Sequence, residues 1–152
     1  MSRDETLATL AAYRRWLLAH SDRFLLAEKF SNIDHAHRAG RLAISFDIEG
    51  MNVLGGDINM VEVYHTLGVR QMLFAYNLNN LAAGGCHDVD IALTEFGIDI
   101  LTEMNRVGML VDASHTSYRT SMDLIERSKT PVVFSHSNPT SVWQHQRNIK
   151  DE

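Results

Sequence analysis

Four short apolar segments, separated by stretches patterned as helices, constrain this chain more than any other feature. Arg41–Glu49 alternates strictly. Leu42, Ile44, Phe46 and Ile48 point to one side, and Ala43, Ser45, Asp47 and Glu49 to the other, the period-two pattern of a β-strand. Val69–Tyr76, Met109–His115 and Pro131–His136 read as three more strands. The intervening helices carry their own end signals. Residues 58–67 are capped by Asp57 and closed by Gly68; Thr94 opens a helix that presents Phe96, Ile100, Met104 and Val107 and stops at Gly108; Ser117 caps a third that runs to Ser128. Ahead of the first strand, the spacing of Leu7, Leu10, Leu17, Leu18, Phe24 and Leu25 predicts one helix over 4–28, and 33–39 a second, ended by Gly40. Asn77–Asp90 is an Asn- and Gly-rich loop, and the tail from Asn138 reads as a loop or irregular helix.

Strands and helices that alternate through short links build a parallel sheet with right-handed crossovers. Such a sheet carries its chemistry at the C-terminal ends of its strands. A closed eight-stranded barrel takes about 250 residues, whereas this chain has 152 and four legible strands. The pattern therefore admits a small open α/β sheet or roughly half of a barrel, in a single domain. A formal charge of −5 without a basic stripe argues against nucleic acid as a partner. Cys86 is the only cysteine, so no internal disulfide can form. Apolar runs are too short for a membrane-spanning helix, and the opening MSRDETLATL holds Asp4 and Glu5 where a signal peptide has an apolar core. A cytoplasmic location is the expectation.

What ends the strands is the informative part. The first ends in Glu49, the third in Asp112-Ala113-Ser114-His115 and the fourth in Ser135-His136-Ser137. A carboxylate and two imidazoles on one rim of a parallel sheet suit Zn²⁺ or a similar divalent ion. A lone histidine near a strand end is more often a hydrogen-bonded core residue, so the coincidence of three strand ends carries the weight. Other candidates are weaker. His35 and His37, two apart on a helix, do not share a face. Ser114-His115 and Ser135-His136 are neighbours on strands and point to opposite sides, which disfavours a serine hydrolase. Cys86 reads as a packed thiol, and His20, His65 and His145 as surface residues.

Together these strand ends resemble those of the renal (membrane) dipeptidase family of zinc metallopeptidases. The likeness lies in Ala43–Gly50, Leu67–Arg70, Phe96-Gly97, Met104–His115, Pro131–Ser137 and Arg147-Asn148, in the family's order and at closely similar spacing. It implies an α/β fold that is part of a (β/α)8 TIM-type barrel, with about four parallel strands, and a dipeptide as substrate. It further implies that Glu49 bridges two zinc ions, that His115 and His136 complete one of the two zinc sites, and that Arg147 holds the substrate's free carboxylate. Tyr76 stands where some members carry a histidine that polarises the scissile carbonyl; a phenol can donate the same kind of hydrogen bond. Asp47, on the face of Glu49, is expected to support the ligands, and Asp112 less so.

The chain also departs from the family. Its members ligate the second zinc with a His-x-Asp pair on the first strand, and no such pair stands on a predicted strand before Glu49. His20-Ser21-Asp22 spells the motif inside a predicted helix and is read as chance. The family's late Asp, which contacts the catalytic water, is missing too. The expectation is the middle of the family's barrel, with about one zinc bound and weak or no hydrolysis. The alternative is a non-catalytic barrel fragment that self-associates or pairs with another piece through open strand edges.

Overall fold

The computed structural model describes residues 2–151. Helix α1, Arg3–Ala19, begins in a capping box in which Ser2 and Glu5 satisfy each other's backbone N–H. It stops at His20 (φ −119°, ψ 34°), whose ring stacks on Trp16 and whose Nδ1 lies 2.8 Å from the Trp16 carbonyl. The single helix predicted over 4–28 is thus corrected. Phe24–Leu26 form strand β1, which pairs in parallel with β2, Leu42–Ile44, in the register Phe24↔Leu42. Apolar spacing in 17–25 fits a helix or a strand equally; the neighbouring strand decides, because it supplies ladder partners to the backbone. Helix α2 spans Phe30–Arg38, and His35 and His37 are exposed on it.

The strand predicted over 41–49 is also divided. After β2 the chain steps at Ser45 and continues as β3, Phe46–Glu49, which leaves β1 and pairs with β4, Val69–Leu73. A four-stranded parallel sheet follows in the order β3-β4-β5-β6, with β5 at Leu110–Asp112 and β6 at Val132–Val133. The last three strands are shorter than their apolar patterns, because residues beyond Leu73, Asp112 and Val133 turn into the loops of the rim.

A short 3-10 turn, Met51–Leu54, follows β3, then helices α3 (Met60–Thr66), α4 (Glu95–Val107) and α5 (Tyr118–Arg127) alternate with the strands. Thr94 Oγ1 accepts the Gly97 N–H at 3.0 Å, and Gly108 (φ 80°) lets the chain leave α4 in the left-handed conformation that glycine tolerates. The core lies between the sheet and these helices: Ile48, Met72 and Val111 from the strands meet Val61, Tyr64, Ile100, Met104 and Leu124. The fold is α/β, an arc of a (β/α)8-type barrel. Among the described residues no helix is long and apolar enough to cross a membrane.

Candidate metal centre

Because every strand of the four-stranded sheet runs the same way, its C-terminal ends share one rim, and each brings its terminal side chain there. Glu49 is the last residue of β3, His115 stands three residues past β5, and His136 three past β6. His136 Nε2 lies 3.4 Å from Glu49 Oε1 and 2.9 Å from His115 Nε2. Among the described residues these three form a group whose ligand atoms all fall within 4.8 Å of one another. Ligands bound tetrahedrally at about 2.0–2.2 Å from a zinc-sized ion stand roughly 3.3–3.6 Å apart. The 3.4 Å pair falls in that range and the 2.9 Å pair just short of it, so a carboxylate oxygen and two imidazole nitrogens stand close enough to share such an ion, with room for a fourth ligand.

The surroundings hold the histidines in place. His115 has a left-handed backbone (φ 66°), as does Asn77 (φ 64°), and these are the two non-glycine residues of that kind among those described. They face each other: His115 Nδ1 is 2.8 Å from Asn77 Oδ1. The loop beyond ties down both backbones. Cys86 N–H donates to the His115 carbonyl (2.9 Å) and His87 N–H to that of Asn77 (2.8 Å). The loop 77–90 therefore packs on this rim, as its place after a barrel strand predicts. His136 Nδ1 lies 2.7 Å from Ser135 Oγ, which donates to Asp112. Asp112 is fully buried and also accepts from Gln71 Nε2 (2.7 Å) and Ser114 N–H (2.8 Å). Burial foremost, then the nearby Arg147 guanidinium and His136, pull the His115 pKa from 6.5 to about 4, so this ring is neutral at pH 7, the form that binds metals.

Tyr76 is half exposed and stacks on the His115 ring at 4.7 Å. Arg147 donates to Ser137 Oγ (2.6 Å) and to the His136 carbonyl (3.0 Å). With His115, Cys86 and Ser137 it lines a cavity of about 300 Å³. Tyr76 and Glu49 line a second cavity, of about 540 Å³, beside β3. All five predicted site residues thus gather at one rim.

The roles expected of the two aspartates are reversed. Asp47 is exposed and its side chain makes no hydrogen bond among the described residues, whereas Asp112 anchors the Ser135–His136 contact. Asn77 and Ser135 as partners of the imidazoles were not foreseen: Ser135 and His136, expected to point to opposite sides of a strand, lie past the end of β6 and touch through their side chains. His20-Ser21-Asp22 precedes β1 and so lies at the opposite rim, as its reading as chance implied. Cys86 is half-buried, and burial pushes its thiol pKa up, which makes it a poor nucleophile. His145 is exposed, as read; it meets His87 edge-on and its Nδ1 accepts the Arg147 backbone N–H at 3.1 Å.

A family model described as membrane dipeptidase (peptidase family M19) matches residues 1–152. Dipeptidase tcpJ of Claviceps purpurea is 33% identical over 97% of this chain and 35% of its own length. Dipeptidase verJ of Clonostachys rogersoniana is 38% identical over 88% of this chain and 35% of its own. The chain spans about a third of the length of these relatives. Among solved structures, an amidohydrolase from Pseudomonas aeruginosa superposes with a TM-score of 0.94 at 33% identity, over 96% of this chain and 45% of that one. A metallopeptidase from Rhodobacter sphaeroides gives a TM-score of 0.85 at 24% identity, over 91% and 42%, a likeness of fold.

Proposed function

The chain belongs to the membrane dipeptidase family, peptidase family M19, and from that premise we propose that it serves metal-dependent hydrolysis of dipeptides, with Glu49, His115 and His136 holding zinc. The observation that carries this is the convergence of one carboxylate and two imidazoles, 2.9 and 3.4 Å apart, on one rim. These residues would hold the ion, and zinc bound there would supply a Lewis acid and a water whose pKa is lowered toward about 7.

The chain's own groups bind and orient the substrate. Arg147 spends two of its five N–H groups on Ser137 and the His136 carbonyl. The rest can pair with a terminal carboxylate in the adjoining cavity, which favours short peptides with a free C-terminus. Tyr76, stacked beside His115, can donate its O–H to the oxygen on which charge develops. Among the described residues one group of three donors occurs, so about one ion per chain is expected, and hydrolysis slower than a two-ion site gives.

Metal analysis after zinc loading tests the reading. It requires about one zinc per chain, lost in His115→Ala and His136→Ala. In titrations of the zinc-loaded protein, a dipeptide should bind more tightly than its C-terminal amide, and Arg147→Ala should abolish the difference. No zinc in the wild type would sink the proposal. A second reading is self-association, favoured by the outer edge of β3, which has no strand partner among the described residues, and by the exposed Tyr13 and Trp16 beside it. It predicts a dimer by sedimentation that zinc does not alter.

A further inference from the structure

We propose that Asn77 and the Asp112–Ser135 pair are positioning residues that set both imidazoles in one tautomer, with Nδ1 protonated and Nε2 bare toward the ion. The proposal rests on Glu49, His115 and His136 being the metal site, and goes beyond it by naming what makes that site ready.

Proton bookkeeping along each chain of hydrogen bonds gives the assignment. Asp112 accepts from Gln71, Ser114 and Ser135. A carboxylate that only accepts makes Ser135 Oγ–H the donor, and that hydrogen is then used up. Ser135 Oγ can therefore only accept from His136 Nδ1, 2.7 Å away, which places the His136 proton on Nδ1 and leaves Nε2 with its lone pair. At His115 the partner is the Asn77 side-chain oxygen, 2.8 Å from Nδ1. The same oxygen lies 3.6 Å from Cys86 Sγ, whose S–H also donates to it. An amide oxygen can only accept, so the proton between it and His115 Nδ1 belongs to the imidazole. His115 is thus an Nδ1–H tautomer too.

The two bare Nε2 atoms then face each other at 2.9 Å. Lone pair against lone pair is repulsive at that distance, so the arrangement favours a cation between them. The backbone cost is borne at the same two residues: Asn77 and His115 both sit at positive φ, a conformation that disfavours most side chains. Asparagine tolerates it best after glycine, and it brings the oxygen that His115 needs.

The test uses the purified chain, Zn²⁺ as probe, and two readouts. The first is the nitrogen-15 spectrum of the imidazoles in the zinc-loaded wild type. Both His115 and His136 should show a protonated Nδ1 and a ligated Nε2; ligation through Nδ1 at either ring would overturn the proposal without any variant. The second is zinc affinity by calorimetry. Ser135→Ala and Asn77→Gly should each weaken zinc about 10–100-fold, the usual effect of removing a partner of a ligating histidine. Asn77→Asp, which keeps the acceptor, should stay within a few-fold. Asn77→Gly keeps the backbone at ease while deleting the oxygen, so wild-type affinity in it and in Ser135→Ala would refute the positioning role. Failure of the wild type to bind zinc would instead refute the metal site on which the proposal rests.

Discussion

Replacing Asp112 by alanine should destabilise this fold more than any other single carboxylate removal, although the residue touches neither substrate nor ion. The side chain is fully buried, and among the described residues it forms no salt bridge. Its charge is held by Gln71 Nε2 at 2.7 Å, Ser114 N–H at 2.8 Å, Ser135 N–H at 3.4 Å and the Ser135 hydroxyl. Each buried donor left without an acceptor costs about 1–3 kcal/mol. The hole left by the carboxylate is polar and large enough for a water, which recovers part of that loss. The net expectation is about 3–4 kcal/mol, a large fraction of the roughly 5–15 kcal/mol that holds a domain together. With a urea dependence of about 2 kcal/mol per molar, the unfolding midpoint should fall by about 1.5–2 M. Asp112→Asn keeps the shape but turns one oxygen into a donor facing donors, and should fall in between. Asp47→Ala, at an exposed position with no hydrogen bond, should stay within about 0.5 kcal/mol of wild type. Equal midpoints for Asp112→Ala and Asp47→Ala would refute the claim that the buried network carries this part of the stability.

Gly85→Ala should weaken zinc binding several-fold in calorimetry and lower the melting temperature, because a Cβ there would collide with the Asn77 carbonyl and push that residue off His115. In the metal-free protein, the His115 pKa of about 4 lies below the 6.5 of the unfolded chain, which therefore takes up the proton first as pH falls. Stability should decline from pH 6.5 down to about 4, and His115→Gln should show a smaller decline in urea midpoints over that window. Ser117→Ala removes the cap that accepts the Thr120 N–H and the hydroxyl that donates to the Ile91 carbonyl at 2.8 Å. It should cost about 1–2 kcal/mol in thermal or urea unfolding.

The strand ends were legible in the chain because parallel sheets impose a simple rule: an apolar run followed by a polar residue marks the rim. Glu49, His115 and His136 follow from it, and the capped helices 95–107 and 118–127 from equally local signals. What stayed hidden depended on partners distant in sequence. Phe24–Leu26 became a strand because Leu42–Ile44 lay beside it. Ser45 marked a break because the chain changes neighbours there, from β1 to β4, which no period reveals. Asp47 and Asp112 looked alike on paper; only the fold buries Asp112 beside Gln71 and Ser135, positions 41 and 23 residues away. Asn77 was visible as part of a loop, but its bond to a histidine 38 residues on was not.

The candidate metal centre can also be seen as a gauge of the sheet's curvature. Glu49 and His136 come from β3 and β6, which stand three strand spacings apart. In a flat sheet that separation is roughly 14 Å, too wide for one carboxylate and one imidazole to share an ion. Here the donor atoms of all three residues fall within 4.8 Å of one another, brought together by the curl of the barrel arc and by the rim loops that carry His115 and His136 past their strands. Flattening the arc would pull the donors apart before any of them changed rotamer. By the same mechanics, an ion held there acts as a tie-rod across the rim, resisting the unrolling of the strands beneath it.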